Sequence, residues 1–137
     1  MHGRRLLRWF LYLGSAGLGI LTLAFVGIGL VIGHQVREQC RSATDQYSGG
    51  CVEASLLLLQ DENQDPRSRN EAVWALGQIG DRRALPVLRR YRTGPIPSTE
   101  PWDADLSQHE LEKAIRQVDG GLNVTAVIWR HGGDVGR

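Results

Sequence analysis

Residues 65–92 read DPRSRNEAVWALGQIGDRRALPVLRRYR, and their punctuation decides the fold. Asp65-Pro66 opens a helix. The aspartate accepts from otherwise unmet backbone N–H groups, and the proline stands at the first helical position, where no carbonyl needs its missing N–H. Ala72, Val73, Leu76 and Ile79 then recur at three- and four-residue steps, which gives one apolar face. Gly80 is a stop, and Asp81 caps a second helix at once. In that helix Ala84, Leu85, Val87, Leu88 and Tyr91 face one way, until Gly94-Pro95 ends it. Two short helices joined by so tight a turn make an αα-hairpin.

The run Arg69-x-x-Ala72-Val73-x-Ala75-Leu76-Gly77-x-Ile79-Gly80-Asp81-x-x-Ala84-Leu85-Pro86-x-Leu88 resembles a HEAT repeat. More narrowly, it resembles the short HEAT-like repeats of phycobilisome lyases. The resemblance covers about 25 of 137 residues. Its small residues let paired helices pack closely, and Pro86 falls within about the first turn of the second helix, where it costs little. Ser68 departs from the pattern, which usually has an aliphatic residue there. The resemblance implies a helical scaffold that presents a surface to other proteins. Phycobilin lyases of the HEAT type are longer and lack membrane anchors, so chromophore attachment is not implied.

The flanks extend the helical pattern. Cys51 to Gln60 places Val52, Leu56 and Leu59 on one face, as the second helix of a preceding partial repeat would. After the proline-rich insert Thr93–Asp105, Ser107-Gln-His-Glu110 is a capping box, with Leu106 and Leu111 as its hydrophobic staple. Leu111, Ala114, Ile115 and Val118 carry that helix to Gly120-Gly121. Repeat units usually need three or more copies to bury a continuous core. A domain this short therefore requires a disulfide, an atypical cap or a partner to finish it. The tail Asn123–Arg130 is rich in β-branched residues and reads either as a single strand or as an irregular segment packed under the helices. Asn123-Val-Thr125 is a glycosylation sequon without meaning in a bacterium, the expected source.

The head of the chain is different in kind. Trp9 to Gly33 runs for 25 residues without a charge. As a helix it reaches about 37 Å, more than the roughly 20 residues a bilayer's hydrocarbon core requires. A cleavable signal peptide has a shorter apolar region and a small-x-small cleavage site, so a retained transmembrane helix is expected. Arg4, Arg5 and Arg8 precede the span; Arg37 and Arg41 follow it. The bias favours an N-terminus in the cytoplasm and residues 34–137 in the periplasm. Ser15 to Gly19 is a small-xxx-small pattern and Gly29 to Gly33 a GxxxG, surfaces that admit a neighbouring helix.

Charge points to no polyanion. Residues 34–137 hold 13 Arg and Lys against 15 Asp and Glu. That balance offers nucleic acid no basic surface. Arg82, Arg83, Arg89, Arg90 and Arg92 nevertheless form a basic ridge. It either meets lipid phosphates or an acidic subunit, or is a solvated face balanced by nearby acids. Cys40 and Cys51 either bridge around the turn residues Gln46–Gly50 or remain separate thiols. No zinc or haem spacing involves them. The histidines at 2, 34, 109 and 131 are scattered, and no phosphate loop or nucleophile motif occurs.

The expectation is thus an all-α chain in five parts. A basic flank (1–8), a transmembrane helix (9–33) and a linker (34–50) lead into a HEAT-like domain of about four short helices (51–119) and a tail (120–137). Its expected role is non-catalytic, without cofactor or metal. It would be an accessory subunit of a larger respiratory or photosynthetic membrane complex, with a transient assembly factor as the alternative. Its expected partners are other integral-membrane subunits through the span, a protein on the HEAT-like surface and the lipid bilayer.

Overall fold

The computed structural model describes residues 2–101 and 103–130, with side chains from Trp9 onward. The side chains of Arg4, Arg5 and Arg8, on which the expected orientation rests, lie outside the described residues, as do His131 and the glycines that follow it. The described chain is all-helical, with no strand: α1 (His2–Gln46), α2 (Cys51–Gln60), α3 (Pro66–Ile79), α4 (Leu85–Tyr91), α5 (Gln108–Val118) and α6 (Ala126–Trp129), with a 3-10 turn at Arg82–Ala84 before α4.

The first helix is much longer than its apolar stretch. It runs for 45 residues, so the expected linker 34–50 is helical as far as Gln46. No glycine or proline interrupts residues 34–46, and Val36, Cys40 and Ala43 fall on one helical stripe. The domain covers that stripe: Val36 and Ala43 are fully buried and Cys40 nearly so. Burial of this face turns an expected spacer into one wall of the domain.

The hairpin forms as its punctuation predicts. Asp65 accepts from the Ser68 backbone N–H at 2.9 Å, and the Ser68 hydroxyl donates to the same carboxylate at 2.6 Å. That second bond gives a physical reason for a serine where the repeat usually carries an aliphatic residue. Gly80 ends α3 at φ +71°, the left-handed conformation that glycine adopts without Cβ strain. Asp81 caps the 3-10 turn through Arg83 N–H, and Pro86 sits in the first turn of α4.

The core draws on α2 to α5, with Leu59, Leu76, Leu88 and Leu111 fully buried. α3 and α5 approach closely at Gly77, where a Cβ would lie 2.8 Å from the Ala114 Cα. The capping box at α5 is only half formed. Ser107 Oγ accepts from the Glu110 N–H at 3.1 Å, but the Ser107 N–H goes to the buried Asn70 Oδ1 at 2.9 Å. Glu110 therefore has no cap donor to receive and lies beside Lys113 at 3.6 Å.

A second, smaller core lies where α1 leaves its apolar stretch. Val36, Cys40, Cys51, Ala126 and Trp129 are buried together, with Ile32, Trp74 and Ile79 against them. Residues 123–130 are thus not a strand but a segment packed under the helices, the other reading the sequence allowed. Residues 126–129 form a single helical turn laid on α1, and the β-branched residues that suggested a strand serve instead as packing and surface groups. Asn123 holds its start, accepting from the Thr125 hydroxyl at 2.9 Å and donating to Gln78 Oε1 at 2.9 Å.

Candidate functional site

The proline-rich insert between α4 and α5 folds over the start of α3 and encloses an open cavity of about 520 Å³. Its walls include Arg69, Tyr91, Pro97, Glu100, Asp105 and Gln108. Several of these walls are pinned from behind. Asn70 donates to the Asp105 carbonyl at 2.8 Å, and Gln108 accepts from the Thr93 N–H at 2.9 Å. The Arg69 guanidinium lies 5.7 Å from the centre of the Tyr91 ring while its Nε donates to the Leu59 carbonyl at 2.9 Å.

Glu100 is the keystone of this arrangement. Its carboxylate accepts from the Ser107 hydroxyl at 2.6 Å and from the backbone N–H groups of Gln108 at 2.8 Å and His109 at 3.2 Å. It occupies the N-terminus of α5, where exposed N–H groups favour an anion. Burial pushes its carboxyl up, but the hydrogen bonds from Ser107, His109 and Gln108 outweigh that and hold it below the ordinary glutamate value. Sequence reasoning takes Glu100, with the neighbouring acids of the insert, for a solvated face and misses Asn70. Glu100 lies seven residues before the cap it completes, at no periodic spacing. Asn70 lies on α3, and only the fold brings it to the insert.

The arginine ridge is mostly occupied by partners. Arg83 pairs with Asp81 at 2.7 Å and also with Glu53. Arg89 meets Asp119 at 3.0 Å, and Arg92 meets Glu112 at 2.8 Å. Arg90 lies 5.5 Å from the Tyr91 ring centre. Arg82 is exposed. Among the described residues no group of three or more His, Cys, Asp or Glu is placed to hold a metal ion.

Cys40 and Cys51 are joined, with Cα atoms 4.9 Å apart. The bond ties α1 to the first residue of α2 and borders the smaller core. The glycines of α1 divide. A Cβ on Gly14, Gly17 or Gly19 would meet nothing. One on Gly29 would meet Ile128 Cβ at 3.0 Å, and one on Gly33 would meet Trp129 Cβ at 2.6 Å. The GxxxG expected to receive a neighbouring subunit thus receives this chain's own tail. Ser15 donates to the Tyr12 carbonyl within its own helix at 3.0 Å.

Known proteins share parts of this chain. The PBS lyase HEAT-like repeat family matches residues 68–91, the α3–α4 hairpin. Deoxyhypusine hydroxylase of Gallus gallus is 34% identical over 83 residues, 61% of this chain and 27% of that protein. The Bos taurus enzyme is 27% identical over 113 residues, 75% of this chain and 35% of that protein. That of Rattus norvegicus is 49% identical over 39 residues, 28% of this chain and 13% of that protein. The chain thus spans about a third or less of the curated relatives it matches. No solved structure matches it. These relatives are enzymes from animals, and they overturn three expectations. A non-catalytic role, an accessory place in a respiratory or photosynthetic complex and a bacterial setting find no counterpart among them. The reason for the error is physical: the residues that carry the resemblance are packing residues, and a scaffold of this kind serves binding proteins and enzymes alike.

Proposed function

We propose that this chain is a membrane-tethered HEAT-like module with an enzymatic role, taking up a substrate side chain in the cavity beside Tyr91. The observation that carries the enzymatic part is the similarity to deoxyhypusine hydroxylases. The cavity is suited to such a side chain, since Glu100 and Asp105 lie with the Tyr91 ring around an open space of about 520 Å³. The carboxylate of Asp105, exposed at the cavity wall, favours an amino group carried on an aliphatic stem. Deoxyhypusine, which the relatives' name carries, is therefore the first substrate to try.

The test uses the purified full chain in mild detergent with a peptide carrying deoxyhypusine. Fluorescence anisotropy should show binding that Tyr91→Ala and Asp105→Asn weaken; with dioxygen and a two-electron reductant supplied, mass spectrometry should show the peptide gaining one oxygen atom, the other leaving as water. A folded chain that neither binds nor modifies the peptide overturns the reading.

The tether rests on α1, whose segment from Trp9 onward is long and apolar enough to cross a bilayer. In a water-soluble fold such a segment would be buried, yet its large side chains are exposed from Trp9 to Val31. The arginine bias and the Cys40–Cys51 bond both favour residues 34–137 on the non-cytoplasmic face. The open Ser15–Gly19 face supports contact with a second span.

A further inference from the structure

We propose that the tail end of the domain, residues 122–128, lies in the bilayer interface, with Leu122, Val124 and Val127 against lipid. The inference rests on α1 being a membrane span and adds where the domain sits on it. Trp9, with Phe10 and Tyr12, marks one aqueous boundary of the span as interfacial aromatics do. Twenty residues separate Trp9 from Gly29, and at helical rise this is about 30 Å, the thickness of the hydrocarbon core. Ile128 and Trp129 are seated on Gly29 and Gly33. α6 is thereby held where the span emerges into the headgroups.

The surface beside that contact is apolar and left exposed among the described residues. Leu122 is 96% exposed, Val124 60% and Val127 64%. Three such side chains within six residues, at the end of the molecule away from the cavity, have no role in the domain's core. On α1, Ile28, Leu30 and Val31 flank the glycine that seats Ile128 and are exposed as well. A bilayer is the occupant that covers both surfaces at once.

The charged groups at the same end agree. α3 runs back along α1 toward the span: Gln39 bonds Glu71 at 2.9 Å, and Ile79 packs against the smaller core that Val36 and Trp129 share. The turn after Gly80 therefore faces the membrane with Arg82 exposed. Asp81 and Asp119 are paired with Arg83 and Arg89, which limits repulsion of lipid phosphates. Arg130 donates to the Gln78 carbonyl at the end of α3 with Nε at 3.0 Å.

The experiment places a single fluorescent label on the full chain in phospholipid nanodiscs. The sites are Val124→Cys, Ile20→Cys in the span, and Ser98→Cys at the far end of the domain. Parent protein with the disulfide intact takes no label and is the control. Nanodiscs carrying a quencher near the lipid headgroups should remove most of the emission from position 124 and leave position 98 unchanged. A deep quencher should remove most of the emission from position 20. Quenching at 20 without quenching at 124 overturns the inference and leaves the span standing. A blue-shifted label at 124 that no lipid quencher reaches means that protein covers this surface, and it overturns the inference as well. Quenching at neither site overturns both readings.

Discussion

The two halves of α1 belong to one unbroken helix and carry the same small residues, yet they live in different surroundings. In the half from Gly14 to Gly27 an added Cβ would touch nothing. In the half from Gly29 to Ala43, two glycines and three buried side chains form the seat of α6 and a wall of the domain. Glycine content does not separate Gly29 and Gly33 from Gly14, Gly17 and Gly19. What separates them is the tail, ninety-odd residues further on, which returns to cover one and leaves the other bare.

The largest way to break this comparison is to remove the tail's anchor. Trp129 is 3% exposed and its indole N–H has no hydrogen-bond partner among the described residues. Trp129→Ala should cost about 3–5 kcal/mol in a denaturant titration of the full chain in detergent. Trp129→Phe should lose only a fraction of that, because it also removes a buried donor that no acceptor satisfies. Equal losses for the two variants would mean that the N–H has a partner.

A more selective test sets the two halves against each other. Gly33→Leu drives a side chain into Trp129 and should cost about 1–3 kcal/mol. Gly17→Leu, on the same helix with nothing nearby, should stay within about 0.5 kcal/mol. If both substitutions behave alike, α6 is not seated on α1.

The smallest effect separates the tail end from the cavity end. Glu100 is held below its ordinary pKa, so its contribution is complete above the usual glutamate value of about 4.3 and is lost as pH falls through the lower folded value. Hydrogen exchange at the Gln108 and His109 amides should quicken on acidification through that range, relative to the intrinsic rate. Glu100→Gln should blunt the change, and the amides of α6 should not follow it.

The α3–α4 hairpin was legible because helix caps and stops act through neighbours in sequence: Asp65, Pro66, Gly80 and Asp81 each satisfy or end a backbone pattern within a few residues. The cavity was not legible, because Glu100 and Asn70 act on α5 across the fold and carry no periodic signature. The arginine ridge shows a third case. Its charges were visible in the sequence, but whether they stand free depends on Glu53, Glu112 and Asp119, each at least 20 residues away. Function was least legible, since packing residues shared by many helical scaffolds say nothing of chemistry.

By itself the sequence determined that α1 is helical and apolar and that a capped helical hairpin follows. These are local consequences of hydrogen bonding and side-chain periodicity. Only the tertiary structure decided that α1 continues past Gly33 as a wall of the domain, that Gly29 and Gly33 receive Ile128 and Trp129, and that Glu100 closes the end of α5. Each of these joins residues distant in the chain. Such contacts form only when the folded shape buries the faces that local pattern leaves exposed.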